Sequence, residues 1–286
     1  MMKIAFIGGG NMAAALIAGL AGKLTPGANI HVVDPNPASL ESLQRQYGVT
    51  VATSAGPAGA GADAPVAAAE VLVLAVKPQV MHEVTQQLLP LLQAARAAGR
   101  TPLVLSIAAG IRAADLSRWL GGYQAIVRTM PNTPALIGMG VTGMVASAGV
   151  SAQQREAADQ ILRAVGATVW LDDEAKIDAV TAVSGSGPAY VFYFIEAMQQ
   201  AAEELGLTAE QGRQLAMATF TGAAQLAVQS PDPVPVLREK VTSKGGTTYA
   251  ALTSMEASGV KDAIVAAVKA AAARGKELGD ELGAAG

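Results

Sequence analysis

The sequence has no cysteine and only two histidines, His31 and His82. Without thiols there is no disulfide framework, no thiol nucleophile and no thiolate metal site, and the composition suits a reducing compartment. His31 falls in an apolar run that reads as a strand and His82 in a helical pattern, so each reads as a packing or surface residue and no metal site is expected. Charge of one sign is lacking too: 20 basic residues against 23 acidic ones leave a net charge of −3, with no block of either kind. That argues against a nucleic-acid or membrane-surface binder and points to a small-molecule partner. Hydrophobic residues make up 51% of the chain, much of it Ala, but charges interrupt every long apolar stretch, so no transmembrane span is expected. Met1 to Gly10 run directly into an apolar strand and a glycine loop, without the basic segment of a secretion signal, and the expected location is the cytoplasm.

What is present has an order. Short β-branched runs, Ile4 to Ile7, Ile30 to Val33, Val71 to Val76, Leu103 to Ile107 and Ala125 to Arg128, alternate with helical patterns up to about Asp172. Such alternation is the signature of βαβ units around a parallel sheet. Val71 to Val76 is almost wholly apolar, as a central strand buried on both faces should be, and Pro78 then opens a helix where its missing N–H does no harm. Ser54 to Ala69, rich in Ala, Gly and Pro, reads as a surface loop and a weak helix. After Thr168 to Leu171 the strand signals stop. Helices are predicted from Gly187-Pro188 to Leu205 and from Thr208 to Ser230, and Pro231, Pro233 and Pro235 separate the second of these from the next helix. The reading is therefore α/β: a Rossmann-like dinucleotide-binding domain over residues 1–172 and an all-α domain over 173–286. Aromatics are only 4% of the chain, so the helices must pack through small side chains, and a second subunit is expected to cover their outer faces.

The first strand runs into Gly8-Gly9-Gly10-Asn11-Met12-Ala13, a G-x-G-x-x-A pattern between strand and helix. Gly8 permits the tight turn, Gly10 lets backbone approach a pyrophosphate, and Ala13 lets the helix sit close to the strand. Asp34 ends the second strand, about the distance past the loop at which a carboxylate bonds the adenosine ribose; alone it favours NAD, while Asn36 leaves NADP open. Three further segments leave strand ends on the ligand-binding side: Ala75-Val76-Lys77-Pro78, Ser106 to Gly110, and Met130 to Pro134 with Asn132 as a turn residue or nicotinamide contact. In the helical half, Ser184 to Tyr190 and Thr242 to Thr248 are small, polar and at helix starts. The second combines two glycines with hydroxyls and the positive end of a helix, which suits a carboxylate as well as it suits a plain interhelical turn.

In order, Gly8 to Ala13, Val76-Lys77-Pro78, Arg128 to Pro134, Ser184 to Tyr190 and Ser243 to Thr248 resemble pyrroline-5-carboxylate reductase over nearly the whole chain. The resemblance implies reduction of 1-pyrroline-5-carboxylate to L-proline with NADPH or NADH, and a homodimer through a helical C-terminal dimerisation domain, assembled in some members into a decamer of five dimers. It implies cofactor contacts at Ile7, Gly8, Gly9, Gly10, Asn11, Met12, Asp34, Asn36, Ala75, Val76, Lys77, Pro78, Ile107, Ala108 and Ala109, to which Asn132 is added from its place on the turn alone. It places the substrate carboxylate on Ser243, Gly245, Gly246, Thr247 and Thr248, with Thr248 as the catalytic hydroxyl near the ring nitrogen, and Glu174 near the product. Departures are Asp34, where many members carry Ser or another small polar residue, and Lys244 and Thr247, where relatives can carry Pro and Ala. A hydroxy-acid dehydrogenase shares the two-domain plan but uses a Lys on the first interdomain helix, and Pro188 to Phe194 has none.

Overall fold

The structure, a computed structural model, describes residues 1–55 and 65–284; most of the Ser54 to Ala69 segment lies outside them. The chain forms two compact units, one of Met1–Ser186 together with the chain from Ala271, the other of Gly187–Ala270.

In the first unit the elements run β1 (Ile4–Ile7), α1 (Asn11–Leu20), β2 (Ile30–Val33), α2 (Pro37–Tyr47), β3 (Thr50–Ala52), α3 (Pro65–Ala68), β4 (Val71–Leu74), α4 (Met81–Ala97), β5 (Leu103–Ser106), α5 (Ala113–Trp119), β6 (Ile126–Met130), β7 (Gly140–Ala146), α6 (Ala152–Arg163), β8 (Gly166–Trp170) and α7 (Lys176–Val180). Among the described residues they make one sheet in the order β3-β2-β1-β4-β5-β6-β7-β8. Strands β1 to β6 are parallel, β7 is antiparallel to β6, and β8 runs parallel to β7. The order 3-2-1-4-5-6 leaves a crevice between β1 and β4, where successive connections turn to opposite sides of the sheet.

Alternation along each strand divides the core. Ala5, Ile7, Leu72, Leu74 and Val104 face the layer of α4 and α5, against Leu88, Leu92, Leu116 and Trp119. Ile4, Phe6, Val32, Val73, Leu105 and Val127 face α1 and α6, against Leu16, Ile17, Leu20, Ile161 and Leu162. Each Val, Leu, Ile or Phe among them, taken fully out of water, contributes about 1.5–3 kcal/mol. The helix ends obey local chemistry. Asn36 caps α2 by accepting the Ala38 N–H at 3.1 Å, Pro37 occupies the first turn, and Gly48 closes it in the left-handed region. Ser151 and Gln154 form a reciprocal cap on α6.

Two strands carry no clear sequence signal. β3 is a three-residue edge strand with little burial, and β7, GVTGMVA, has glycines that blur its alternation. Gly143 is required there: a Cβ would lie 2.7 Å from Val180 of α7. The apolar run from Val71 also leaves the sheet earlier than expected, at Leu74.

In the second unit α8 (Gly187–Glu204) and α9 (Ala209–Gln229) precede α10 (Val234–Lys240), α11 (Thr247–Ala257) and α12 (Val260–Ala284), whose last turns, from Ala271, belong to the first unit. Thr208 and Gln211 form the cap that starts α9. Gly212 allows close approach to α8, for a Cβ there would be 3.0 Å from that of Ala202. Phe192, Tyr193, Leu226 and Val228 are 58–80% exposed, a large apolar surface for an isolated chain. Among the described residues no helix is long and apolar enough to cross a membrane.

Candidate functional site

The glycine loop is held by its neighbours rather than by its own side chains. Gly8 has φ +106, and a Cβ on it would fall 2.5 Å from the Ala75 carbonyl oxygen, so only glycine lets β1 turn against the end of β4. Its N–H donates to the Val33 carbonyl at 2.7 Å. The Gly9 N–H donates to Asp34 Oδ2 at 2.7 Å, and Ser39 Oγ donates to the Gly9 carbonyl at 2.7 Å. Gly10, extended, is the cap of α1, with no side-chain hydrogen bond and, among the described residues, nothing within 4 Å of where its Cβ would stand. The first turn of α1, at Asn11 and Met12, thus presents N–H groups and the positive end of the helix dipole to open space, which is the requirement for an anion such as a pyrophosphate.

A cleft of about 590 Å3 opens beside this loop, lined by Ile7, Gly8, Gly10, Asp34, Ala75, Val76 and Lys77 among others. Ala75 is fixed by its N–H donating to the Ile7 carbonyl at 2.8 Å, and Lys77 precedes the tight turn Pro78–Val80. The neighbouring strand end continues the wall: the Ile107 N–H donates to the Leu74 carbonyl at 3.1 Å and that of Ala108 to Ser106 Oγ at 3.4 Å, leaving Ala109 exposed. Asp34 uses one oxygen for the Gly9 N–H and the other for that of Asn36, at 2.8 Å. Each oxygen keeps a lone pair for a ribose hydroxyl, while a 2′-phosphate would meet the carboxylate's charge.

Two sequence-expected contacts are engaged within the protein. Asn132, on the turn after β6, donates from Nδ2 to the Ser184 carbonyl at 3.1 Å and accepts the Val141 N–H at 2.9 Å. Ser184 lies in a π-helical turn, Thr181–Gly185, and the residue four places on is Pro188, which has no N–H to give its carbonyl. Glu174 Oε1 accepts from Arg128 Nη1 at 2.8 Å and from the Ala113 N–H at 2.7 Å, at the start of α5. It therefore acts as a structural anion joining β6, α5 and α7. Sequence reasoning misses this role of Arg128. Its side chain is 4% exposed, with Asp178 4.0 Å from Nη2, and the available signal is an arginine in the middle of the apolar strand IVRTM.

The Ser243 to Thr248 segment lies in the second unit. Gly245 has φ +76, the Gly246 N–H donates to the Ser243 carbonyl at 3.0 Å, and Gly246 starts α11 in extended conformation with no side-chain cap. The N–H groups of Thr247 and Thr248 belong to the uncapped first turn, and both residues are exposed. As at α1, the cap residue is glycine and offers no side chain of its own.

A family model described as pyrroline-5-carboxylate reductase dimerisation matches residues 174–278, and one described as NADP oxidoreductase, coenzyme F420-dependent, matches residues 3–110. The pyrroline-5-carboxylate reductase of Pseudomonas aeruginosa is 47% identical over 281 residues, covering 98% of each chain, and that of Haemophilus influenzae is 42% identical over 96% of this chain and 97% of its own. The structure of a pyrroline-5-carboxylate reductase from Coxiella burnetii superposes with a TM-score of 0.87 at 38% identity, over 97% of this chain and 98% of that one. The Plasmodium falciparum pyrroline carboxylate reductase, solved with NADP bound, superposes with a TM-score of 0.81 at 27% identity, over 97% and 98%. With relatives this similar along its full length, the chain belongs to the pyrroline-5-carboxylate reductase family.

Proposed function

We propose that the protein reduces 1-pyrroline-5-carboxylate to L-proline with NADPH or NADH, the last step of proline synthesis. Membership of the family along the whole chain is the observation that carries this reading. The first unit fits the cofactor: a Cβ at Gly8 would strike backbone, and among the described residues nothing fills the space before Gly10 in front of an uncapped helix. Ile7 to Met12 would hold the pyrophosphate, Asp34 and Asn36 the adenosine ribose, and Ala75 to Pro78 with Ile107 to Ala109 the remaining length of the dinucleotide. The reduced nicotinamide supplies a hydride when bound.

The chain's own residues then have little chemistry left to do. A protonated cyclic imine is already electrophilic at carbon, so orientation is the larger part of the catalysis. The N–H groups at the start of α11, with Ser243, Gly245 and Gly246, would fix the substrate carboxylate, since an anion there replaces the missing cap. The Thr248 hydroxyl would bond the ring nitrogen and hold its proton in place. Asn132 and Glu174, whose polar atoms are engaged with protein, would act by fixing the turns around the site.

We assign dinucleotide binding to residues 1–172 and substrate binding with dimerisation to 173–286. The exposed Phe192, Tyr193, Leu226 and Val228 support a homodimer that covers them, with a decamer of five dimers as the larger assembly and the cytoplasm as its location. The test is the oxidation of NADH and of NADPH by purified protein with 1-pyrroline-5-carboxylate. Turnover establishes the reaction and ranks the cofactors; folded protein that binds dinucleotide but turns over no cyclic imine would instead be a dinucleotide sensor.

A further inference from the structure

The last turns of α12 and the loop after β5 meet along a strip that the proposed reaction leaves without a role. Gly275, Gly279 and Gly283 stand one turn apart on α12, each facing a polar side chain of the first unit. A Cβ at Gly283 would lie 2.7 Å from the Asp115 carboxylate, one at Gly279 3.1 Å from the Arg112 guanidinium, and one at Gly275 3.8 Å from Asp178. Glycine is among the poorest helix formers, so three at this spacing near a chain end mark a face where something must come close. What comes close is the loop. Gly110 has φ +78, and a Cβ on it would be 2.9 Å from Leu282 Cδ1. Arg112 Nη2 donates to Asp280 Oδ1 at 2.7 Å, and Arg118 Nη2 donates at 2.7 Å to the Gly283 carbonyl in the last turn of α12. Leu282 packs on the apolar cluster that includes Ile111, Leu116 and Trp119.

We propose that the end of α12 is a clamp that sets the conformation of the loop Ile107 to Arg112 and, through it, the affinity for the reduced dinucleotide; this rests on the reading that Ile107 to Ala109 line the cofactor. The loop is fixed upstream by the sheet, where the Ile107 N–H meets Leu74, and downstream by Glu174 on the Ala113 N–H. Between those points it leans on α12. Leu282 and Asp280 are thus positioning residues, some 170 positions along the chain from the loop they hold. A clamp of this kind affects binding of the cofactor and leaves the chemical step alone.

The test measures NADH binding by the fluorescence of the bound nucleotide, alongside steady-state kinetics. Leu282→Ala should raise the Kd and KM for NADH at least about fivefold, the lower end of usual coupling between sites, with kcat at saturating NADH unchanged. Leu282→Met should keep the wild-type Kd. Asp280→Lys, on the surface and harmless to folding, should raise the Kd about two- to fivefold, and adding Arg112→Glu should restore it by reversing the pair. Folded variants with the wild-type Kd, or a fall in kcat with Kd unchanged, overturn the clamp while leaving the cofactor reading intact. Wild-type protein that binds neither NADH nor NADPH overturns both.

Discussion

Removing the Glu174 carboxylate should cost stability and leave the handling of the imine nearly unchanged. The oxygen that would be lost accepts two hydrogen bonds, from Arg128 Nη1 and from the Ala113 N–H. Arg128 is 4% exposed, and among the described residues its Nε has no partner and the nearest other anion, Asp178, is 4.0 Å away. Breaking a fully buried pair from one side costs about 3–5 kcal/mol, because the remaining charge stays in a poor solvent. Glu174 is 30% exposed, so water can replace the lost group and the lower end applies. Glu174→Ala is therefore expected to destabilise the first unit by about 3 kcal/mol, which for a unit of this size lowers Tm by roughly 6–12 °C. Arg128→Met with Glu174→Leu should recover part of the loss, since the apolar pair needs no partner while the Ala113 N–H still loses its acceptor. The assay is thermal unfolding monitored by circular dichroism, paired with KM for 1-pyrroline-5-carboxylate. If Glu174→Ala unfolds at the wild-type temperature while that KM rises tenfold, the carboxylate serves the substrate, as the family resemblance implies, and the structural role is refuted.

Gly8→Ala should abolish dinucleotide binding in titrations with NADH, because a β-carbon 2.5 Å from the Ala75 carbonyl oxygen forces the loop away from β4. Asp34→Ser should shift the ratio of kcat/KM for NADPH over NADH upward by about tenfold or more, as repulsion of a 2′-phosphate by a carboxylate is relieved; an unchanged ratio removes Asp34 from cofactor choice. Thr248→Ala should lower kcat/KM for the imine by about tenfold or more with the KM for NADH unchanged, and equal kcat/KM would end its proposed role. Burial holds the His31 imidazole below its ordinary pKa of 6.5. The folded state then binds fewer protons than the unfolded one, so this contribution is complete above pH 6.5 and is lost as pH falls through the folded value. Urea unfolding from pH 7 to 5 should show that decline, and His31→Gln should flatten it.

The parallel half of the sheet could be read directly, because buried strands such as Ile4–Ile7 and Ile30–Val33 are short apolar runs bounded by turn residues. The glycine loop was legible for the same reason that it works: few sequences need glycine at both Gly8 and Gly10 between strand and helix. β7 was not legible, since its Gly143 answers to Val180, 37 residues away, and not to the strand's own alternation. Asn132 and Glu174 stood out as residues, but what they bond is set by Ser184 and Arg128, 52 and 46 positions distant. α12 carries no breaker near Ala270, so nothing in its sequence marks where one unit hands over to the other.

The bond from Asn132 to the Ser184 carbonyl has a consequence for how this chain can vary. Pro188 leaves that carbonyl without a helical donor, and the amide of Asn132 takes the vacancy. The two positions are then not independent: losing the amide first strands an acceptor, whereas replacing the proline first supplies an N–H that makes the amide dispensable. One order of substitution passes through a damaged intermediate and the other does not, so drift at this joint runs more readily in one direction than in the other.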